Sequence, residues 1–145
     1  MAAIIRRATA EDVPGLAAID REATDFPWTP AQFADSLGHH HTLVLEAAEV
    51  LSGFLVYSRV LDEAELLNVA VSPSAQGRGY GALLVEHFID LNRGAAVRLL
   101  LEVRASNRRA TDLYQRHGFT RQGVRKGYYP ARQGREDAWI MAYEY

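Results

Sequence analysis

Short apolar runs and longer segments with helical spacing alternate along this chain. Seven runs have the length and composition of β-strands, at residues 4–8, 42–47, 52–60, 63–71, 97–103, 119–128 and 137–143. Residues 79–92 and 107–117 have helical spacing, and two capping patterns, Thr9-Ala10-Glu11-Asp12 and Thr29-Pro30-Ala31-Gln32, begin two earlier helices. Strands and helices that interleave in this order predict one α/β domain over residues 1–145 with a mixed sheet.

The apolar positions also predict which side of each helix is buried. These positions are Val13, Leu16, Ala17 and Ile19 in the first helix, and Leu83, Leu84, Phe88 and Leu91 in the third. Glycine ends two of the helices, at Gly38 and Gly118. A tight turn around Ala48-Glu49 is predicted between the second and third strands, and a loop over residues 129–134 between the last two.

A glycine-rich turn lies in the middle of the chain. Ser72-Pro73 ends the strand 63–71, and glycines recur at positions 77, 79 and 81 before the third helix. Glycine lets the backbone approach a phosphate closely, and the unpaired N–H groups of a helix start point toward it. The stretch therefore predicts a diphosphate-binding turn. It lacks the ending of a nucleotide P-loop and the third glycine of a dinucleotide fingerprint; an ordinary glycine-rich loop is the alternative.

Composition narrows the class of protein. Hydrophobic residues make up 48% of the 145 residues, which is typical of a globular domain large enough to bury its own core. The absence of cysteine excludes a disulfide framework, a thiolate nucleophile and cysteine-ligated zinc. No secretory signal precedes Arg6-Arg7, and no apolar run approaches the ~20 residues of a membrane helix. We therefore expect a cytoplasmic protein with no membrane partner.

The net charge of −2 conceals a difference between the two halves of the chain. Residues 1–72 hold 4 Lys+Arg against 11 Asp+Glu, whereas residues 73–145 hold 12 against 7. A basic half suits an anionic cofactor and an acidic half suits a cationic substrate, although incidental surface charge explains the same numbers. Dispersed arginines and a pI near 6.2 do not match a nucleic-acid-binding surface, so no direct nucleic acid binding is expected.

Glu102 interrupts a run that otherwise suits a central strand. Burying a lone carboxylate is costly unless it is paired or functional. A right-handed crossover places the end of this strand beside the glycine-rich turn, where an acid can take a proton from an attacking amine, directly or through water. The structural alternative is a salt bridge to Arg104 or to another arginine.

The helix predicted at 107–117 carries a second candidate. Asn107, Ala110, Thr111 and Tyr114 have the spacing of one helical face. If Asn107 meets a cofactor at the helix start, Tyr114 lies two turns further along the same side, where a phenol can protonate a leaving thiolate. A tyrosine that only packs in the core is the alternative.

Three consecutive histidines, His39-His40-His41, raise the question of a metal site. Neighbouring side chains of a regular strand or helix diverge and cannot converge on one ion. We therefore interpret the three histidines as an exposed loop and expect no metal.

Several of these segments together resemble one family of enzymes. Gln76-x-x-Gly79-x-Gly81 is similar to the Arg/Gln-x-x-Gly-x-Gly/Ala signature of the GNAT N-acetyltransferases, in which this turn holds the pyrophosphate of acetyl-coenzyme A. Further segments resemble, in order and spacing, the bacterial ribosomal-protein alanine N-acetyltransferases of the RimI type. They are Phe26-Pro27-Trp28, Asn68-Val69-Ala70-Val71-Ser72-Pro73, Leu101-Glu102-Val103-Arg104-Ala105-Ser106-Asn107, Leu113-Tyr114, Gly118-Phe119 and Tyr128-Tyr129-Pro130. The resemblance covers nearly the whole chain. It implies a mixed, mostly antiparallel sheet with a splayed central strand pair and flanking helices.

The resemblance also implies roles for individual residues. Glu102 would be the general base and Tyr114 the general acid of a direct acetyl transfer in a ternary complex, without a covalent enzyme intermediate. Main-chain groups of Val69, Ala70 and Val71 would hold the pantetheine arm of acetyl-CoA and polarise the acetyl carbonyl. The remaining implied cofactor contacts are the pyrophosphate cradle Gln76, Gly77, Arg78, Gly79, Tyr80, Gly81 and Ala82, with Asn107 on the cofactor arm.

The acceptor is predicted from weaker signals. A peptide α-amine has an ordinary pKa of about 8, against about 10.4 for lysine, so a modest carboxylate base suffices for it. Tyr128 and Tyr129, with acids such as Asp62, Glu63 or Asp25, would suit a basic N-terminal peptide. We therefore expect acetylation of the N-terminal amine, with alanine first, of a ribosomal protein by a monomer or weak dimer. The alternatives are acetylation of a small-molecule amine or a lysine side chain, and a non-catalytic acyl-CoA-binding module.

Overall fold

The computed structural model describes residues 3–145, which form seven strands and four α-helices. The strands are β1 (Ala3–Arg7), β2 (His41–Ala47), β3 (Val50–Val60), β4 (Glu63–Val71), β5 (Arg98–Arg104), β6 (Thr120–Pro130) and β7 (Arg135–Glu144). The α-helices are α1 (Val13–Ala23), α2 (Pro30–Leu37), α3 (Tyr80–Asn92) and α4 (Arg108–Arg116), and short 3-10 turns cover Ala10–Asp12 and Pro73–Ala75. Within the described residues, every helix is too short or too polar to cross a membrane.

The strands form one sheet in the order β1-β2-β3-β4-β5-β7-β6. Antiparallel pairing joins β1 to β2, β2 to β3, β5 to β7 and β6 to β7. The strands β4 and β5 run parallel, because α3 lies between them in the chain and returns it to the same end of the sheet. The predicted mixed, mostly antiparallel sheet with flanking helices is confirmed.

The described chain falls into two compact units, and β4 contributes to both. The first unit extends to Ser58 and resumes at Leu67–Leu84, whereas the second comprises Arg59–Leu66 and Val85–Tyr145. In the first unit, the helices α1 and α2 bury their apolar sides with β2 and β3. An aromatic cluster lies in this core, where the Phe33 ring is 5.2 Å from Trp28 and 5.3 Å from Phe54 between centroids.

The start of α2 follows its predicted capping pattern. The Thr29 N–H donates to the side-chain oxygen of Gln32 at 2.8 Å, and the Gln32 N–H donates to the Thr29 hydroxyl at 3.1 Å. Two backbone donors of the first turn are thereby satisfied, as a capping box requires.

In the second unit, β5 has one buried face and one partly exposed face. Leu99, Leu101 and Val103 are buried, and the intervening residues are not. Because a strand alternates its side chains, Glu102 lies on the face opposite to these three residues. Glu102 is therefore kept out of the hydrophobic core.

The buried side of α3 differs from the predicted one. Leu84, Val85, Phe88 and Ile89 are buried, but Leu83 and Leu91 are 41% and 43% exposed, so the prediction was wrong for these two. The buried stripe follows the i, i+1, i+4, i+5 positions and continues to Asn92, whose side chain donates to the Phe88 carbonyl at 2.9 Å. An asparagine with a local backbone partner therefore takes the buried position that Leu91 was expected to fill.

Three further expectations are corrected or confirmed by the strands. Tyr129 and Pro130 belong to β6 and not to the predicted loop, which is shortened to residues 131–134. His41 is the first residue of β2, where its ring stacks on Tyr57 at 4.7 Å, so only the first two histidines precede the strand. The predicted turn at Ala48-Glu49 is confirmed, and both residues have a positive φ, 53° and 64°.

The first helix buries one residue that its apolar pattern did not include. Asp20 of α1 is only 2% exposed, beside the predicted core residues Leu16, Ala17 and Ile19. One of its oxygens, Oδ2, accepts from the Trp28 N–H at 2.9 Å and from the Asn68 side-chain amide at 3.1 Å. Burial raises the pKa of Asp20, and the two hydrogen bonds oppose that rise.

Candidate active site

The parallel ladder between β4 and β5 covers only the first four residues of each strand. Its pairs run from Glu63 with Arg98 to Leu66 with Leu101, whereas β4 continues to Val71 and β5 to Arg104. A ladder that ends this early is what the predicted splayed pair of central strands requires. In β4, the continuing residues include Val69, Ala70 and Val71, whose main-chain groups were expected to hold the pantetheine arm.

Within the first unit, the end of β4 is packed closely against β3. A Cβ atom placed on Gly53 of β3 would lie 3.1 Å from the Ala70 carbonyl oxygen and 3.5 Å from a methyl of Val71. Immediately after the strand, the Ser72 N–H donates to the Ser52 carbonyl at 2.8 Å. The backbone of β4 is therefore held in place by β3 up to the residue that starts the glycine-rich turn.

The glycine-rich turn has the backbone that its sequence predicts. Gly77 and Gly79 have φ values of +82° and +81°, and a Cβ on either would meet no atom within 4 Å. Glycine is thus required by backbone conformation and not by lack of space. The Gln76 side chain donates to the Val71 carbonyl at 3.2 Å and ties the turn to β4, and α3 begins directly afterwards at Tyr80. Arg78, Gly81 and Ala82 lie in the same continuous segment, and its phosphate contacts stay a prediction.

Glu102 makes an ion pair, but not with Arg104, which lies two residues further along β5. Its Oε1 lies 3.1 Å from Nε of Arg125 in β6, and its side chain is 21% exposed. Arg104 instead donates to the Pro130 carbonyl at 2.7 Å and to Glu136 at 2.8 Å. The salt-bridge alternative is therefore realised, and it leaves the carboxylate accessible at the end of β5.

Tyr114 is buried on α4, whose start is capped by Asn107. The Asn107 side-chain oxygen accepts from the Ala110 N–H at 3.2 Å, and the Tyr114 ring lies 5.8 Å from Phe119. Burial, and to a lesser degree the Tyr129 phenol, raise the pKa of Tyr114 above its ordinary value of 10. The phenol therefore keeps its proton at neutral pH, as a general acid must.

Tyr129 connects the two candidate catalytic groups. Burial, and next the negative charge of Glu102, raise the pKa of Tyr129 to about 12, and Tyr129 in turn acts on Tyr114. The Glu102 charge therefore raises the pKa of the Tyr129 phenol, and the Tyr129 phenol raises the pKa of the Tyr114 hydroxyl. Glu102 and Tyr114, both in the second unit, thus each interact electrostatically with Tyr129.

Tyr128 and Tyr129 lie at the tip of the β6–β7 hairpin between two arginines. Their rings meet edge to face at 5.0 Å between centroids. The Arg104 guanidinium lies 4.5 Å from the Tyr129 ring centroid and that of Arg125 lies 5.2 Å from the Tyr128 ring centroid. Tyr129 is therefore held against an arginine of the strand that carries Glu102, and Tyr128 against the arginine that pairs with Glu102.

Two of the acids predicted to line the acceptor groove do not lie beside Glu102. Glu63 begins β4 and pairs with Nε of Arg98 at 3.0 Å, four strand residues before Glu102, a separation of roughly 13 Å. Asp62 precedes it in an exposed turn, where its carbonyl accepts from the Val97 N–H at 2.7 Å. Asp25 is exposed in the connection between α1 and α2. The structure does not bring Asp62 and Glu63 together with Glu102.

Two residues of the neighbourhood were missed by the sequence interpretation. Arg125 is the ion-pair partner of Glu102, and Glu65 of β4 is the nearby acid on the adjacent strand. Partial desolvation, and then the charge of Glu102, raise the pKa of Glu65, whereas Arg125 lowers it. Glu65 could have been found from the sequence, because strand alternation puts it on the same face of β4 as Glu63. The contact between Arg125 and Glu102 could not, because it depends on a strand register that the sequence does not show.

The histidines that raised the metal question have other partners. His39 contacts the Asp35 carbonyl at 2.9 Å and His40 the Ser36 hydroxyl at 2.8 Å. Across residues 3–145, no three His, Asp or Glu side chains are grouped as metal ligands.

Comparison with known proteins places this chain among acetyltransferases. The sequence profile of the acetyltransferase (GNAT) family matches residues 7–119. The ribosomal protein bS18-alanine N-acetyltransferases of Salmonella typhimurium and Escherichia coli are 44% and 42% identical over 133 residues, which is 90% of this chain and of each relative. The crystal structure of the Escherichia coli ribosomal-protein-S18-alanine N-acetyltransferase superposes with a TM-score of 0.93 at 40% identity, covering 99% of this chain and 94% of that one. The chain is an acetyl-transferring enzyme and belongs to the GNAT acetyltransferase family.

Proposed function

We propose that the chain is an N-alpha-acetyltransferase, with one catalytic domain over residues 1–145, that acetylates the N-terminal amine of a ribosomal protein whose first residue is alanine. The observation that carries the proposal is the partly exposed Glu102 carboxylate, which Arg125 holds beside Tyr128, together with the buried, protonated phenol of Tyr114 in the same unit. The names of the relatives support the choice of acceptor. An acceptor of this kind also favours a cytoplasmic location, and the monomer or weak dimer stays a prediction.

The co-substrate of a GNAT enzyme is acetyl-CoA, which supplies the acetyl group as a thioester. The residues present fit its diphosphate, because Gly77 and Gly79 turn the backbone with open space beside them and the first turn of α3 follows at once. We assign the pyrophosphate to residues 76–82. The main-chain groups of Val69, Ala70 and Val71 are assigned to the pantetheine arm, and Asn107 to the cofactor arm.

Glu102 is the proposed general base. Its Oε1 is held by Arg125, so its other oxygen is the one assigned to the proton of the acceptor amine, directly or through one water. The carboxylate is 21% exposed, which lets an amine reach it from solvent. An α-amine, with an ordinary pKa of about 8, needs a weaker base than a lysine amine, so a carboxylate suits it.

Tyr114 is the proposed general acid. Its raised pKa keeps the hydroxyl protonated, and the same burial shields it from water. A phenol in this state can deliver its proton to the leaving thiolate, and Glu102 receives the proton that the amine gives up. The two proton transfers therefore use separate groups, and neither requires a covalent intermediate on the enzyme.

Tyr128 and Tyr129 are the proposed acceptor contacts, because Arg125 links the Tyr128 ring to Glu102 and both tyrosines are at least partly exposed. The sequence also suggested Asp62 and Glu63, but they lie at the start of β4 and not beside Glu102, so we assign no acceptor contact to them. Glu65 is the acid that we put in their place. Its carboxyl lies close enough to Glu102 for each to act on the other, so it adds negative charge where a cationic acceptor would approach.

Mass spectrometry of acceptor peptides tests this function. The enzyme and acetyl-CoA are incubated with a peptide that begins with alanine and contains a lysine, and with the same peptide blocked at its N-terminus. We expect one added acetyl group on the α-amine of the first peptide and none on the second. Acetyl groups on lysine only, or on a small amine but neither peptide, would overturn the proposal in favour of the other acceptors.

Matched variants test the two catalytic assignments. Glu102→Gln is expected to lower kcat about 100-fold or more while the Kd for acetyl-CoA is unchanged, and Tyr114→Phe is expected to lower kcat by a similar factor. Glu63→Gln is the control, since it removes a carboxylate of the neighbouring strand that is paired with Arg98. If Glu102→Gln stays as active as Glu63→Gln, Glu102 is not the base.

A further inference from the structure

Arg125 joins the carboxylate of Glu102 to an exposed aromatic ring. Its Nε lies 3.1 Å from Oε1 of Glu102, and its guanidinium carbon lies 5.2 Å from the centroid of the Tyr128 ring. The Arg125 side chain is 54% exposed. An ion pair this exposed contributes little to the free energy of folding. Its geometry is better explained by its effect on the orientation of the Glu102 carboxylate.

The contact between Arg125 and Tyr128 depends on a bulge in β6. Arg125 pairs with Ala138 and Tyr129 with Glu136, so three residues of β6, 126–128, lie opposite the single residue Asp137. In a regular strand, residues three positions apart point to opposite faces of the sheet. The bulge is therefore what lets the Tyr128 ring reach the guanidinium, and bulges beside active sites often redirect a side chain in this way.

Hydrogen bonds hold the bulge in this form. The Gly127 N–H donates to the Asp137 carboxylate at 3.0 Å, and Arg135 donates to the Tyr128 carbonyl at 2.8 Å. Gly127 has a φ of +56°, a conformation that glycine adopts without steric cost. Hydrogen bonds from the side chains of Asp137 and Arg135 to this backbone thus fix the position of Tyr128 relative to Arg125.

The second carboxylate near Glu102 gives Arg125 a further role as a compensating cation. Glu65 on β4 and Glu102 on β5 act on each other as like charges, and Arg125 acts on Glu65 with the opposite sign. Tyr129 faces Glu102 from β6 as a neutral phenol. Arg125 therefore offsets two carboxylates that would otherwise repel each other where the acceptor amine must approach.

We propose that Arg125 is a positioning residue for the acetyl transfer: it orients the Glu102 carboxylate so that one oxygen is held and the other faces the acceptor amine. The Tyr128 ring supports the same guanidinium. The inference rests on the proposed role of Glu102 as the base. It assigns to Arg125 no contact with the reacting atoms.

Steady-state kinetics with an alanine-initiated peptide tests the role of Arg125. Arg125→Met keeps much of the length of the side chain and removes its charge, and it is expected to lower kcat about 10-fold, because a misplaced catalytic group costs rate and not cofactor affinity. The KM for acetyl-CoA should stay within about twofold. Arg125→Lys keeps the charge without the planar guanidinium, so its kcat should fall between that of Arg125→Met and that of the unsubstituted enzyme.

Arg121→Met is the matched control. Arg121 lies on the same strand, and its guanidinium carbon is 4.9 Å from the Trp139 ring centroid, so the control removes a similar cation–aromatic contact. Its kcat should be unchanged, and all variants should melt close to the unsubstituted protein. An Arg125→Met kcat within twofold of the unsubstituted value, an equal loss in Arg121→Met, or an Arg125→Lys no better than Arg125→Met would overturn the inference.

A double-mutant cycle separates this inference from the proposed function. If Arg125 acts through Glu102, Arg125→Met should cause no further loss of kcat in the Glu102→Gln background. Full additivity of the two losses would show that Arg125 acts elsewhere. If Glu102→Gln alone costs nothing, the proposed function itself fails. If Glu102→Gln loses its activity and Arg125→Met keeps a kcat within twofold of the unsubstituted value, only the role of Arg125 fails.

Discussion

Gly53 offers a direct test of whether the backbone at the end of β4 binds acetyl-CoA. It lies on β3, and a Cβ added there would be 3.1 Å from the Ala70 carbonyl oxygen and 3.3 Å from a methyl of Leu84. The Leu84 side chain can move aside, but the Ala70 carbonyl belongs to the backbone of β4. Gly53→Ala should therefore displace Ala70 by a few tenths of an ångström.

The magnitude follows from two opposing effects on folding. Overpacking a buried site costs about 1–3 kcal/mol, whereas alanine is favoured over glycine in a strand by about 0.5–1 kcal/mol. We expect a net loss of about 1 kcal/mol in the free energy of unfolding, which lowers Tm by about 3 °C. If Ala70 also contacts the pantetheine arm, the Kd for acetyl-CoA should rise about 3- to 10-fold.

Thermal unfolding and isothermal titration calorimetry measure the two quantities. Gly123→Ala is the control, because its Cβ would meet the nearest atom, a methyl of Ile140, at an ordinary 4.0 Å. That variant should gain about 0.5–1 kcal/mol in stability and keep its Kd. A Gly53→Ala protein that melts lower but binds acetyl-CoA normally would refute the assignment of Ala70 to the cofactor, and an unchanged Tm would refute the packing argument.

Three further predictions concern stability. Glu49 has a φ of +64°, so Glu49→Gly should raise the free energy of unfolding by about 0.5–1 kcal/mol in urea titrations; no gain would show that the turn is unstrained. Asp20 has a raised pKa, so the folded state binds its proton more tightly than the unfolded state, and stability falls as pH rises above about 3.8. Asp20→Asn should therefore stabilise the protein at pH 7 and not at pH 3, and a uniform loss at both would contradict this. Asn107→Ala removes the cap of α4 and should cost about 1 kcal/mol in the same titrations, whereas an unchanged midpoint would rule out the cap.

Much of the fold could be predicted from local sequence patterns. The strand 63–71 was predicted with the bounds that the structure gives to β4, and the Thr29 capping box was predicted residue by residue. Both depend on neighbouring residues in the chain, namely a β-branched run ended by Ser72-Pro73 and a cap three residues before its partner. The glycine-rich turn is also a local feature, because glycines such as Gly77 and Gly79 favour positive φ angles whatever their place in the fold.

The contacts that could not be predicted from the sequence depend on strand register and on residues that are far apart in the chain. Arg125 is 23 positions from Glu102, and their contact exists only because β5, β7 and β6 pair in that order with a bulge. Tyr129 was assigned to a loop together with Pro130, yet Pro130 ends an edge strand, where its missing N–H costs no hydrogen bond. Asp20 was visible in principle, since it follows Leu16 by four positions, but a charged side chain argues against burial until its partners are known.

The bulge at residues 126–128 makes the hairpin sensitive to its length. Removing one of these residues would leave two, an even number, between the pairs Arg125 with Ala138 and Tyr129 with Glu136, and the side chains on one side of the gap would then turn to the other face of the sheet. Homologous chains should therefore tolerate exchanges within this segment far better than insertions or deletions. Loop grafting between related enzymes has to preserve that count if the acceptor preference is to be transferred with the tyrosines.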